Sequence, residues 1–143
     1  MRDKYFLDTN IIVYSFDNTD HGKQDTSRQL IKSGLETGKG IISFQVIQEF
    51  LNVATRKFAT PISYKDSRIY LASVLGPLCE VYASIELYQL GLEISERWKF
   101  GFYDALIIAG SIQAKCKILY SEDLQHDQMI QDLRIVNPYL ENG

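Results

Sequence analysis

Four acids in this sequence stand where a fold could bring them together. Asp8 directly follows the apolar triplet Tyr5-Phe6-Leu7 and precedes Thr9-Asn10-Ile11-Ile12. Asp123 comes just past Lys117-Ile118-Leu119-Tyr120, separated from it by Ser121-Glu122. Glu49 lies about 40° from Val53 on a helical wheel, at the rim of an apolar face. Asp104 opens the most apolar helical stretch of the chain, between Phe102-Tyr103 and Ala105-Leu106-Ile107-Ile108. Each acid has an ordinary structural reading. Asp is among the best helix N-caps, a Glu at the edge of an apolar face is commonly solvated, and an acid in a first helical turn is favoured by the helix dipole. Taken together they fit a second reading. Four converging carboxylates in a partly desolvated pocket would raise one another's pKa values and oppose folding unless cations neutralised them. Hard oxygen donors suit Mg²⁺ or Mn²⁺. The matching chemistry is phosphoryl transfer to water, in which one metal lowers the pKa of a water and a second steadies the leaving oxygen.

The elements that must position these acids are short apolar runs alternating with helical patterns. Strands are predicted at Tyr5 to Leu7, Gly40 to Ser43, Glu80 to Ala83, Lys117 to Tyr120 and Arg134 to Val136. Helices are predicted near Thr9 to Ser15, Thr26 to Thr37, Phe44 to Lys57, Ser63 to Leu75, Ser84 to Arg97 and Phe102 to Lys115, punctuated by Gly38, Gly40, Gly76-Pro77 and Gly101. Such alternation implies an α/β domain with a mainly parallel sheet, because parallel strands need crossovers. Ligands of such sheets gather at the carboxyl ends of the strands, where Asp8 and Asp123 are expected. In Phe44 to Lys57, residues Val46, Ile47, Phe50, Leu51, Val53 and Ala54 fall within about 160° of arc, which makes that helix amphipathic. Phe102 to Lys115 is apolar nearly all round and is expected to be buried.

The chain has 143 residues, 15 Lys+Arg against 18 Asp+Glu, and a formal net charge of −3. With three prolines and no linker or repeat, it reads as a single domain over residues 1–143. Two cysteines, Cys79 and Cys116, exclude a disulfide scaffold and suit a reducing compartment. Neither a signal-type apolar stretch after Met1 nor a run of membrane-spanning length is present, so a cytoplasmic protein without a membrane partner is expected. The mild acidity excludes a nonspecific nucleic-acid coat held by global positive charge. It does not exclude a nuclease, because the four acids account for the sign: setting them aside leaves +1 in place of −3.

The motifs carry a family resemblance. Phe6-Leu7-Asp8-Thr9-Asn10-Ile11-Ile12-Val13-Tyr14, Ser43-Phe44-Gln45-Val46-Ile47-Gln48-Glu49-Phe50, Asp104-Ala105-Leu106-Ile107-Ile108-Ala109 and Tyr120-Ser121-Glu122-Asp123-Leu124 resemble, in order, the four acidic motifs of PIN-domain proteins. Arg134-Ile135-Val136-Asn137-Pro138-Tyr139 is similar to the family's last strand. More narrowly the chain resembles the toxin ribonucleases of VapBC-type toxin–antitoxin pairs. The resemblance implies a five-stranded parallel sheet of order 3-2-1-4-5 sandwiched between helices, and Mg²⁺- or Mn²⁺-dependent endonucleolytic cleavage of RNA. By the same resemblance Asp8, Glu49, Asp104 and Asp123 bind metal and position the attacking water. Thr9 and Ser121 are then hydroxyl neighbours of the carboxylates, and Asn10 a supporting residue. Homodimers and a cognate antitoxin, its tail across the active-site groove, are also implied. Two positions depart from the pattern: Asp127 stands where Gly is common and is read as a loop residue, and Gly101 where Ser is frequent.

Other candidates are weaker. His126, three residues past Asp123, is unnecessary in a hard oxygen site, and His21 has less context still. The cysteines lack zinc-type spacing and are read as core thiols. Phe100, Phe102 and Tyr103 could stack RNA bases but are expected in the core. Arg56-Lys57, Lys65 and Arg68 suit phosphate or plain solvated helix faces equally. Receiver-type and haloacid-dehalogenase-type readings fail, because Cys79-Glu80-Val81-Tyr82-Ala83-Ser84 ends in no Asp and Asn10 stands two residues past Asp8. The surviving alternatives are a catalytically silent PIN-like scaffold binding RNA or protein, and a stand-alone RNA-processing nuclease.

Overall fold

A computed structural model describes residues 3–140; the ends of the expected domain, 1–2 and 141–143, lie outside the described residues. Strand β1 (Tyr5–Leu7) runs straight into helix α1 (Thr9–Tyr14), and α2 (His21–Thr37) leads back to β2 (Gly40–Ser43). Helix α3 (Phe44–Arg56) and α4 (Tyr64–Tyr70) follow. The chain then passes through a π-helical turn (Leu71–Leu75) and the single turn α5 (Gly76–Leu78) into β3 (Cys79–Val81). Helices α6 (Ile85–Trp98) and α7 (Phe102–Gln113) precede β4 (Ile118–Tyr120), β5 (Met129–Ile130) and β6 (Leu133–Val136).

The strands form one sheet of order β3-β2-β1-β4-β6-β5. Five are parallel in the 3-2-1-4-5 arrangement expected from the sequence, with β6 as the fifth. The sixth, β5, was not foreseen. It adds antiparallel to β6 through a tight turn in which Gln131 takes a left-handed φ of 55°. Two residues, Met129 exposed and Ile130 buried, are too few to show a strand period.

In the central strands side chains on both faces are dry, as a sheet covered by helices requires, whereas Glu80 of β3, Met129 of β5 and Arg134 of β6 are exposed. Phe6, Leu7, Ile41, Ile42, Leu119 and Ile135 are at most 1% exposed, each contributing about 1.5–3 kcal/mol by burial. Helix α7 is buried continuously from Ala105 to Ser111, as its all-round apolar sequence predicts. Helix α2 starts five residues earlier than Thr26, because Asp20 caps it by accepting from the Lys23 N–H at 3.1 Å. It ends at Gly38, whose φ of 71° closes the helix in the left-handed region. Gly34 and Gly40 let α2 lie directly on β2: a Cβ on Gly40 would sit 2.6 Å from the Gly34 Cα. The single helix expected over Ser63 to Leu75 is instead α4 continued by the π-helical turn, which carries on to Leu78. Strand β3 sits one to two residues before the expected Glu80 to Ala83. None of the described helices is long and apolar enough to cross a membrane.

Candidate functional site

Asp8 is both the cap and the acid that its sequence position allowed. At the carboxyl end of β1, its backbone N–H donates to the Tyr120 carbonyl at 3.1 Å, which locks it beside β4. One carboxylate oxygen caps α1, accepting from the Thr9 N–H at 2.8 Å. The other accepts from Ser121 Oγ at 2.9 Å. Burial pushes this carboxyl from 3.8 up to about 6; the Thr9 and Ser121 hydrogen bonds oppose that rise, and the neighbouring Glu49 and Asp123 carboxylates reinforce it.

Asp123 is exposed in the loop after β4, and its Oδ2 accepts from Asn10 Nδ2 of α1 at 2.7 Å. Glu49 projects from α3, which packs against α1. Its carboxyl is raised by desolvation, lowered by the Gln45 and Thr9 side chains, and raised again by the Asp104 charge. Asp104 sits exposed in the first turn of α7. The four acids therefore form a series of electrostatic neighbours, Asp123 to Asp8, Asp8 to Glu49 and Glu49 to Asp104, delivered by four different segments. The charges acting on Asp8 and Glu49 are all negative.

A buried hydroxyl at the neighbouring strand end, Ser43 Oγ at the end of β2, has no hydrogen-bond partner. Ser43 caps α3 by backbone geometry alone. Uncompensated carboxylates beside an unpartnered buried oxygen are a donor set suited to a hard divalent cation. Among the described residues no three His, Cys, Asp or Glu side chains are drawn together tightly enough to chelate an ion directly. Larger concavities, of about 500 and 570 Å³, lie around Phe16 and Tyr70 and contain none of the four acids. The acidic site is an open rim of the sheet.

Several residues around the site escaped the sequence reading. Gln45 Nε2 donates to the Tyr103 carbonyl at 3.2 Å, tying α3 to the first turn of α7 and hence Glu49 to Asp104. Its position one turn before Glu49 was the available signal. Glu122, between Ser121 and Asp123, accepts from Tyr14 Oη and Lys23 Nζ, both at 2.5 Å. Nothing in the spacing announces that contact, because 99 residues separate Lys23 from Glu122.

Asp127 is a loop residue, as read. Its φ is 68°, and Arg134 Nε donates to it at 2.9 Å. His126 Nδ1 accepts from the Asn137 N–H at 3.0 Å, a structural use. Both cysteines are buried and free. The aromatics around the start of α7 correct the sequence reading: Phe100 packs partly buried against the core, whereas Phe102 and Tyr103, in the first turn, are 39% and 72% exposed. The helix buries its stretch from Ala105 onward and leaves its first turn outside.

A doubly wound parallel α/β domain with an acidic rim at the carboxyl ends of its strands is the class this fold and site define. Residues 5–130 match the PIN domain family model, and the chain belongs to that family. No curated protein matches it closely enough to serve as a relative. Solved structures share its fold at low identity. A toxin–antitoxin complex from Klebsiella pneumoniae is 18% identical, with a TM-score of 0.66 over 95% of this chain and 98% of that one. Mycobacterium tuberculosis VapC20, described as a sarcin–ricin loop cleaving toxin, is 17% identical, with a TM-score of 0.60 over 84% and 90%. VapBC2 from Rickettsia felis, bound to a DNA fragment from its promoter, is 20% identical, with a TM-score of 0.60 over 92% and 96%.

Proposed function

We propose that the protein is a Mg²⁺- or Mn²⁺-dependent endoribonuclease, the toxin of a toxin–antitoxin pair. The observation that carries this reading is the sign of the field at the strand ends: Asp8 is held half-buried with its pKa raised, and its charged neighbours are acids. A scaffold gains nothing from that cost. A bound divalent cation would supply a water of lowered pKa and a positive charge for the departing oxygen. Asp8, Glu49, Asp104 and Asp123 would hold it. Thr9 N–H and Ser121 Oγ fix both oxygens of Asp8, so the carboxylate is oriented before anything binds. Asn10 does the same for one oxygen of Asp123. The open rim admits a polymer in passing, which suits an internal phosphodiester better than a small enclosed substrate.

The solved structures described as toxin–antitoxin complexes support an antitoxin partner, and the family resemblance is consistent with a homodimer and a cytoplasmic setting. The experiment is cleavage of RNA by the purified chain. Activity should vanish with EDTA, return with Mg²⁺ or Mn²⁺, and be absent from Asp8→Asn. Full activity of that variant, or cleavage indifferent to chelation, overturns the assignment. A stand-alone processing nuclease would cleave equally well but lack a neighbouring antitoxin gene and show no growth arrest on expression.

A further inference from the structure

Ser121, Glu122 and Asp123 are consecutive, and each is bound to the N-terminal segment of the chain. Ser121 donates to Asp8 at 2.9 Å and Asp123 accepts from Asn10 at 2.7 Å, both across 113 residues. Between them Glu122 receives Tyr14 Oη on one oxygen and Lys23 Nζ on the other. The Lys23 ammonium is itself seated, 4.5 Å from the Tyr14 ring centre and 5.4 Å from that of Tyr139. Those rings meet edge to face at 5.3 Å, and Tyr139 Oη pairs with Ser27 Oγ of α2 at 2.6 Å. The side chains of Lys23 and Glu122 are only 30% and 22% exposed, so the pair is shielded more than a surface ion pair.

We propose that Lys23 and Tyr14 act as positioning residues: by gripping Glu122 they clamp the loop after β4 onto α1 and α2 and so set the Asp8–Asp123 half of the cation site. This rests on the reading of the four acids as a cation site. The clamp makes a prediction opposite to simple electrostatics. Lys23 is a positive charge near an anionic cluster, so deleting it would, through space alone, strengthen binding of a divalent cation. If its work is to hold Glu122, deleting it weakens binding, as loss of a partner that orients metal ligands does, by 10- to 100-fold in other sites.

Mn²⁺ binding to the full chain, followed by titration calorimetry without RNA, separates the two. Lys23→Met is expected to bind Mn²⁺ about tenfold more weakly than wild type, with hydrogen exchange accelerated at residues 121–124, and Lys23→Arg to recover most of the affinity. Tyr14→Phe, which removes one hydroxyl, should weaken binding in the same direction and serves if Lys23→Met does not fold. Unchanged or tighter Mn²⁺ binding by both variants overturns the clamp while leaving the cation site standing. A wild-type chain that binds no Mn²⁺ overturns the cation reading and the clamp with it.

Discussion

Replacing Asp8 with asparagine should make the metal-free protein more stable, and the size and pH dependence of the gain follow from the site. With its pKa raised from 3.8 to about 6, ionising Asp8 costs about 3 kcal/mol more in the folded than in the unfolded chain. Solvent reaching the half-buried carboxyl trims this to about 2 kcal/mol. Below pH 3.8 the carboxyl is protonated in both states and the penalty is absent. It grows as pH rises from 3.8 to 6 and is complete above that. Asparagine escapes it while keeping both hydrogen bonds, since Oδ1 still accepts from Thr9 N–H and Nδ2 can donate to Ser121 Oγ. In EDTA at pH 7.5 the variant should therefore melt about 6 °C higher than wild type, given roughly 3 °C per kcal/mol for a domain of this size. At pH 4 the gap should have closed. Saturating Mn²⁺ should raise the melting temperature of wild type alone, by linkage. Thermal unfolding followed by circular dichroism at the two pH values, with and without Mn²⁺, is sufficient. A variant less stable at pH 7.5 in EDTA, or a gap that ignores pH, would refute the claim that Asp8 is held charged at a cost.

Ser121→Ala removes a hydrogen bond that holds the Asp8 carboxyl down, so Asp8 should titrate higher still and the acid limb of any pH–rate profile should move to higher pH. Carboxyl carbon NMR reads the first and RNA cleavage the second. Gln45→Ala breaks the 3.2 Å bond to the Tyr103 carbonyl and should cost about 1 kcal/mol in urea unfolding, while the Glu49 carboxyl, relieved of a lowering contact, titrates higher. Gly40→Ala sets a Cβ 2.6 Å from the Gly34 Cα. Because backbone must move, it should cost about 3 kcal/mol and lower the urea midpoint by more than any surface alanine.

The parts of the molecule legible in the sequence are those written in local chemistry. Alternating apolar runs and helical periods give the order of strands from β1 to β4 and the buried α7, and acids just past Leu7 and Tyr120 give two corners of the site. The four acids named from spacing and resemblance stand as electrostatic neighbours from Asp123 to Asp104, and their role as a cation site is the reading proposed above. What was illegible depends on contacts across the chain or on very short elements. Glu122 has no role assigned by spacing, and only the fold shows Lys23 and Tyr14 on it. Strand β5 is two residues long and forms because β6 offers it an edge. Phe102 and Tyr103 are composed like core and lie outside it, because burial along α7 begins with Ala105.

The placement of β1 also orders events in time. It is the first strand among the described residues, yet it ends in the middle of the sheet, flanked by β2 on one side and β4 on the other. As the chain leaves the ribosome, β1 can pair with β2 early, but its other edge stays bare until residues 118–120 emerge. Ser121 and Asp123 arrive with them, and only then are Asp8 and Asn10 given their partners. A chain that stops short of residue 118 therefore lacks the partners of both Asp8 and Asn10, so the β1 end of the site is completed only by a segment more than 100 residues away in sequence.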